Sequence, residues 1–311
     1  MRVLVTGGAG FIGSNIVRAI RRRRQDAVVL DNLSSGHQSN VPADPGVHFI
    51  EADVCDPAAV ERAMKDCEVV FHLAASVGNQ RSIKDPIQDA QTNVLGTLNV
   101  LETARLKGVR KVVISSSAGI FGELKGLPIA EDHPTEPDTP YGASKLCAEK
   151  QGLAYAKLYG LGVICLRYFN VYGPLQRYDA YGNVIPIFVS HLLGGRPITV
   201  FGDGEQTRDF VNVRDVVQAN LKAAEARDVS GAFNIGSGTA LSINDLVERL
   251  SVAIGSPPAV KFGPERKGDV RHSIADISAA RRAFGYAPSV DIASGLKEYV
   301  EWAKAEAVEA V

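Results

Sequence analysis

Short apolar runs rich in Val, Ile and Leu alternate with longer helical patterns through the first half of the chain. Val3–Thr6, Ala27–Leu30, Val47–Ile50, Val69–Leu73, Val112–Ser115 and Val163–Leu166 read as strands. None alternates strictly between apolar and polar, as expected for parallel strands covered on both faces. Helical periodicity fills the gaps near residues 12–23, 57–66, 86–107 and 141–160. This alternation predicts an α/β fold with a doubly wound parallel sheet. After about residue 170 the texture changes. Gly and Pro become frequent, and helical patterns near 184–193, 213–227, 242–254 and 292–306 are separated by short strands such as Ala232–Ile235. The expected organisation is a first domain over 1–170 and a smaller, mixed α/β C-terminal region over 171–311, with the chain free to cross between them.

Composition narrows the classes. The 311 residues are 45% hydrophobic, enough for a sizeable core, and the formal net charge is −1. No global basic field favours nucleic acid or an anionic membrane. The run Arg21 to Arg24 falls where the first helix should end, where cations suit the helix dipole. Cys55, Cys67, Cys147 and Cys165 have no metal-ligand spacing, nor do the six histidines, so no metal is expected. No apolar run approaches the ~18 residues of a membrane span. With a strand at Arg2 and no leader pattern, a cytoplasmic location is expected.

Candidate chemistry begins at Thr6-Gly7-Gly8-Ala9-Gly10-Phe11-Ile12-Gly13, between the first strand and the first helix. Gly7, Gly10 and Gly13 are spaced to bring backbone close to a ligand, and the helix N-terminus offers free N–H groups to a pyrophosphate. Strand before and helix after are the context this motif requires, and they make the sheet Rossmann-type. The second strand ends at Asp31, placed to accept from adenosine ribose hydroxyls and to repel a 2′-phosphate. No Lys or Arg follows within Asn32-Leu33-Ser34-Ser35-Gly36, so NAD is expected over NADP. Phe11, Ile12, Asn32, Leu33, Ser35 and Gly36 join the cofactor set. Asp53 and Val54 would flank the adenine, and Leu73, Ala74, Ala75 and Ser76 would line the cofactor. Asn93 reads equally as a cofactor contact or as a polar anchor in the core.

Tyr141 and Lys145 stand four apart in Tyr-Gly-Ala-Ser-Lys, on one face at the start of a helix. A free tyrosine has a pKa of about 10, too high for a base at neutral pH. A nearby ammonium and a positive nicotinamide would favour phenolate. Ser115-Ser116-Ser117 ends the fifth strand, at the carboxyl edge where such sheets bind ligands, and offers a hydroxyl to a reacting oxygen.

The whole chain resembles the NAD-dependent epimerase/dehydratase family of extended short-chain dehydrogenases/reductases, and is most similar to bacterial UDP-hexose and UDP-N-acetylhexosamine 4-epimerases. The similarity runs from Val3 to about Trp302 and is carried by TGGAGFIGS (6–14), YGASK (141–145), RYFNVYGP (167–174), GDGEQTRDFV (202–211) and RKGDVRHSIADI (266–277). It implies a triad of Ser117, Tyr141 and Lys145, with Ser115 and the backbone at Phe169 by the nicotinamide. It implies Asn170, Asn183 and Val184 on the sugar nucleotide, Thr199, Val200 and Phe201 beside uracil, Arg208 and Arg266 on the diphosphate, and Asp269 on the ribose. Two guanidinium groups suit phosphate oxygens; a surface ion pair is the plainer reading of either alone.

The implied reaction is 4-epimerisation through a transient 4-keto sugar. Dehydratases of the family carry an Asp-Glu pair just after the catalytic hydroxyl, where this chain has Ala118 and Gly119. A 4-reductase with the same triad, a uronic-acid 4-epimerase and a non-catalytic dinucleotide-sensing or RNA-binding protein are the other readings. Tyr141 and Lys145, with no basic stripe, weigh against the last. Arg81 and Arg177 lie near the expected sugar pocket and would suit a sugar carboxylate, a phosphate or the surface. Ser273, four residues after Asp269, is where relatives restricted to plain hexoses carry tyrosine; a small residue there implies room for N-acetylated sugars. Relatives often dimerise through the helices corresponding to 86–107 and 141–160, which implies a homodimer.

Overall fold

The computed structural model describes residues 1–178, 183–265 and 270–309. Twelve strands occur among them: β1 (Arg2–Thr6), β2 (Asp26–Asp31), β3 (Val47–Glu51), β4 (Val69–His72), β5 (Lys111–Ser117), β6 (Gly162–Tyr168), β7 (Asn170–Tyr172), β8 (Ile198–Phe201), β9 (Thr207–Asn212), β10 (Gly231–Ile235), β11 (Ala240–Ser242) and β12 (Val260–Gly263). The helices are α1 (Phe11–Arg22), α2 (Pro57–Ala63), α3 (Asn79–Lys84), α4 (Pro86–Ala90), α5 (Thr97–Leu106), α6 (Pro140–Tyr159), α7 (Val184–Leu193), α8 (Val213–Glu225), α9 (Ile243–Ile254), α10 (Ser278–Phe284) and α11 (Ile292–Glu309). No described helix is long and apolar enough to cross a membrane.

Seven strands form one parallel sheet in the order β10-β6-β5-β4-β1-β2-β3. Helices cover both faces. Val3, Val5, Val29 and Phe71 pack toward α1 and α8, while Leu4, Val28, Val70 and Val112 pack toward α2 and α5. All eight side chains are almost fully buried, which explains the lack of alternation in these runs. β3 is an exception. At the sheet edge it buries neither face fully, so the expectation of a doubly covered strand at 47–50 fails there. The edge β10 comes from the second half of the chain, beyond residue 170, and pairs with β6.

Two smaller sheets carry the remaining strands: β11-β9-β7 and β12-β8. Around them Tyr172, Ile185, Phe188, Phe210, Leu246 and Leu296 build a separate apolar core. The periodicity over 86–107 predicts one helix, but the chain forms α4, a π-helical turn at Gln91–Gly96, and then α5. Helix α6 has strong end signals: Thr139 accepts from the Gly142 N–H, Pro140 occupies the first turn, and Gly160 ends it at φ 68°.

Candidate functional site

The glycine-rich turn lies where β1 meets α1. Gly7 has φ 68°, and a Cβ there would stand 2.6 Å from the Ala74 nitrogen; a Cβ on Gly13 would stand 2.2 Å from the Gly7 oxygen. Both glycines are therefore required by close approach of chain to chain. Gly10 differs: beyond the Gly7 oxygen at 3.2 Å, nothing lies within 4 Å of its ideal Cβ. Gly10 is also the N-cap of α1, which has no side-chain cap. An uncapped helix N-terminus behind an open glycine fits a dinucleotide pyrophosphate.

Asp31 ends β2, its side chain buried beside this turn. Its Oδ2 accepts from Ala9 N at 2.9 Å and its Oδ1 from Leu33 N at 2.9 Å. It thus shapes the turn at the end of β2. Leu33 adopts φ 57°, an uncommon conformation for a side chain of its kind. A Cβ on Gly36 would lie 3.0 Å from both Ala9 and the Asp31 carboxylate, so Ser35-Gly36 closes over the same spot. Asn32 donates to Asp53 Oδ2 at 2.7 Å. Burial opposes the Asp53 charge, but the Cys55 N–H and Asn32 outweigh it and hold the carboxyl below its usual pKa. Val54 is buried, and its carbonyl accepts from Asn99 at 3.0 Å.

At the end of β4, Leu73 N donates to Thr6 O at 3.0 Å and Ala74 N to Thr6 Oγ1 at 3.2 Å. Thr6 Oγ1 also meets His72 Nδ1 at 2.7 Å, and His72 Nε2 meets Thr97 Oγ1 at 3.0 Å. Burial pulls His72 down to about 3, with the Lys145 charge adding to this, so it is neutral at working pH. Asn93 lies within the π-helical turn. It accepts from Ser76 N at 2.9 Å and donates to Ser76 O at 3.0 Å, fixing the loop that follows β4. The π turn is what aims Asn93 at this loop; such turns are frequent at functional sites.

The three proposed reacting groups converge where β5 ends and α6 begins. Tyr141 hydrogen-bonds Ser117, and Ser117 Oγ accepts from Gly119 N at 3.1 Å. Lys145 Nζ donates to Ser115 Oγ at 3.3 Å. Burial pushes the Tyr141 phenol up, only partly offset by Ser117, with Asp89 opposing the phenolate as well. Lys145 is 5% exposed, and burial draws it down to about 8 against the upward pull of Asp89, Cys165 and Glu149.

In the register of the sheet, Ser117 faces Tyr168 on β6. Two residues on, Asn170 opens β7, so roughly 7 Å of extended chain separates it from the position opposite Ser117. Phe169 is buried and donates its N–H to Ile235 O at 3.0 Å. β7 pairs with β9, with Asn170 opposite Phe210, and Arg208 lies two residues earlier on β9. Arg208 donates to Thr207 O at 2.7 Å. Ser273 N donates to the same carbonyl at 3.2 Å, which sets Ser273 beside β9, the strand that carries Arg208 and pairs with Asn170. Asn183 and Val184 start α7, where Asn183 donates back to Val171 O at 3.3 Å. Thr199, Val200 and Phe201 lie on β8 in the other small sheet, tied to this group by Gln206 donating to Phe201 O at 2.8 Å. Arg266 and Asp269 lie outside the described residues.

Of the readings open to Arg177, the geometry favours the surface contact over a sugar carboxylate. Its Nε donates to Glu306 and its Nη1 to Asn40, so a carboxylate of the chain itself already pairs with the guanidinium. Sequence reasoning also missed a buried polar layer behind the reacting groups. Glu149, fully buried, pairs with Arg167 through bonds of 2.8 and 3.0 Å and accepts from Ser116 at 2.8 Å. Glu149 stands four residues after Lys145, and that spacing on one helix was the available signal.

Known proteins resemble this chain in sequence and in fold over nearly its whole length. Residues 3–236 match the model of the NAD dependent epimerase/dehydratase family. The UDP-glucose 4-epimerase of Thermotoga maritima, solved with UDP-glucose, is 39% identical with a TM-score of 0.94, covering 99% of this chain and 100% of that one. The UDP-N-acetylglucosamine 4-epimerase of Methanobrevibacter ruminantium, solved with UDP-N-acetylmuramic acid, is 37% identical with a TM-score of 0.94, covering 98% of each chain. The UDP-glucose 4-epimerase of Thermus thermophilus, solved with NAD, is 38% identical with a TM-score of 0.89, covering 98% of this chain and 99% of that one. The chain belongs to the NAD dependent epimerase/dehydratase family.

Proposed function

We propose that this chain is an NAD-dependent 4-epimerase of a UDP-linked hexose or N-acetylhexosamine. The observation that carries the reading is the meeting of Ser117, Tyr141 and Lys145 where β5 ends and α6 begins, with Ser117 followed by Ala118 and Gly119, which have no acid–base group. The family includes dehydratases, and elimination of water needs acids that these two positions lack. The names and contents of the similar structures, UDP-sugar 4-epimerases with UDP-sugars or NAD, support the same substrate class and cofactor.

Gly7, Gly10, Gly13 and Asp31 would hold NAD, with Asn93 fixing Ser76 on its nicotinamide side. When bound, NAD accepts and returns the hydride. Tyr141 Oη takes the proton of the 4-hydroxyl and later returns it to the same oxygen. Ser117 Oγ hydrogen-bonds that oxygen. Lys145, cationic below about 8, favours the phenolate electrostatically, against the burial that raises Tyr141. The positive nicotinamide would add to this. Arg208, together with Arg266 and Asp269, anchors the nucleotide end, and Asn170, Asn183, Val184 and Thr199 to Phe201 flank it. A fixed diphosphate lets the sugar present either face to one Tyr141.

The enzyme would work in the cytoplasm as a homodimer. Ile87, Leu95, Leu98 and Leu158 are exposed on α4, the π turn, α5 and α6, and Leu95 and Leu98 share a helical face. Sedimentation at micromolar concentration tests the dimer. The activity is tested by incubating the protein with single UDP-sugars and resolving the 4-epimers chromatographically. Interconversion with a flat NADH absorbance supports the reading; stoichiometric consumption of added NADH would replace it with a reductase.

A further inference from the structure

Behind the Tyr141–Lys145 pair lies a carboxylate that the proposed mechanism does not use. Asp89 is 1% exposed, on the short helix α4. Its Oδ1 accepts from Asn93 Nδ2 at 3.1 Å, and its Oδ2 accepts from the Ser144 hydroxyl. Ser144 lies between the two reacting residues in the first turn of α6. Its Oγ is also 3.0 Å from Tyr141 O and accepts from Asn93 Nδ2 at 3.0 Å. A serine hydroxyl has one proton, and the Asp89 acceptor fixes which way it points. Asn93 is in turn held to Ser76 and, through its carbonyl, to Thr97, which reaches His72 and Thr6. Asp89 therefore sits where the first turn of α6 meets a buried chain of hydrogen bonds running back to the glycine turn. Burying a carboxylate at such depth is costly, so a fold that merely filled space would place an apolar side chain here.

The geometry points to Asp89 as a positioning residue of the reaction: through Ser144 it sets the first turn of α6, and its carboxylate balances the buried Lys145 ammonium. This rests on the reading of Tyr141 and Lys145 as the reacting pair. The charged and titratable groups facing Lys145 are Asp89 from α4, Glu149 from α6 itself, Cys165 from β6, and His72 from β4. Glu149 is already paired with Arg167, and His72 is neutral. Asp89 heads the opposing influences that keep Lys145 from falling below about 8, so its loss should extinguish the ammonium at lower pH. It also opposes the Tyr141 phenolate, so its loss eases that ionisation while drawing Lys145 down.

Two variants separate the two roles. Asp89→Asn keeps the shape but removes the charge and one of the two acceptor oxygens, so the Lys145 titration reads the charge by itself; Ser144→Ala keeps the charge and removes the hydroxyl link. Interconversion of UDP-glucose and UDP-galactose is followed against pH. Wild-type activity decides the underlying reading first: an inert wild-type enzyme removes that reading, whereas an active one isolates the role of Asp89. In Asp89→Asn, kcat should fall about tenfold with KM within about twofold, as expected of misplaced reacting groups. The alkaline limb should move at least about half a unit toward lower pH. In Ser144→Ala, kcat should fall severalfold with the alkaline limb unmoved. Independently of activity, an NMR titration of isotopically labelled lysine, with Lys145 assigned through Lys145→Arg, should show the same downward shift in Asp89→Asn. An unmoved Lys145 titration would overturn the electrostatic role. A Ser144→Ala enzyme with wild-type kcat would overturn the positioning role whether or not Asp89→Asn folds.

Discussion

Arg177 Nη1 donates to Asn40 Oδ1 at 2.7 Å, across 137 residues of chain. Asn40 in turn donates from Nδ2 to Ala9 O at 2.9 Å, inside the glycine turn, and accepts from Arg18 on α1 at 3.1 Å through its own carbonyl. The other side of Arg177 is held by Glu306 on α11. The glycine turn is thus clipped to the C-terminal helix through two side chains.

Arg177→Ala should loosen this clip and weaken NAD binding. A charge-assisted hydrogen bond that is partly exposed is worth about 1 kcal/mol, or roughly a fivefold increase in the dissociation constant. Calorimetric titration with NAD measures it. An unchanged affinity would show that Asn40 holds Ala9 without help from Arg177.

How much of this was legible in the chain depends on how local the cause was. The strands β1, β2, β4, β5 and β6 are continuous apolar runs, and the glycine turn and Tyr141–Lys145 are short-range spacings; all could be read directly. β7, β8 and β11 have only three or four residues each, too few for periodicity to mark. The π turn at Gln91–Gly96 keeps a helical pattern while adding one residue to the ladder, so only the structure reveals how it aims Asn93. Asp89 with Ser144, and Arg177 with Asn40 and Glu306, are tertiary pairings over 55 to 137 residues that nothing local announces.

Tyr141→Phe should reduce turnover by about a thousandfold, within the range of a lost general acid–base group. The ring keeps its place and only the Ser117 hydrogen bond is lost, so stability should change by no more than about 1 kcal/mol. UDP binding should persist. Paired measurements of turnover and of UDP affinity check this, and near-normal turnover would remove Tyr141 from the mechanism.

Asp31→Ser should shift the cofactor choice toward NADP, but at a cost to both cofactors. The carboxylate that would repel a 2′-phosphate also accepts from Ala9 and Leu33, so the variant frees two backbone donors of the turn. NAD affinity should fall about tenfold, with NADP affinity nearly unchanged, since lost repulsion offsets the looser turn. Fluorescence titration with each cofactor gives the ratio. A wild-type preference for NADP would contradict this account of β2.

We propose that the substrate range turns on Ser273. Its backbone is held from two sides: Ser273 N donates to Thr207 O at 3.2 Å, and the next residue accepts from Ile129 N at 2.8 Å. Beyond it, Ala275 N donates to the buried Asp209 at 3.1 Å. A path pinned this way keeps its course when the side chain changes, so substitution at Ser273 alters bulk and little else. The side chain itself is half-buried, on the segment that runs beside Arg208. An acetamido group at C2 widens the volume a 4-keto sugar sweeps as it turns, and a small residue here leaves that volume open. The wild-type enzyme should therefore interconvert UDP-N-acetylglucosamine and UDP-N-acetylgalactosamine. In Ser273→Tyr, the added ring should cost the acetamido sugars about 1.4 kcal/mol or more, a tenfold loss of kcat/KM, through overpacking. Plain hexoses should stay within about threefold of wild type, since they lack the group that meets the ring. Competition assays with both substrate pairs measure the ratio directly. Equal losses on the two classes would mean that Ser273 does not border the sugar, and a wild-type enzyme inert toward acetamido sugars would limit the substrate to plain hexoses.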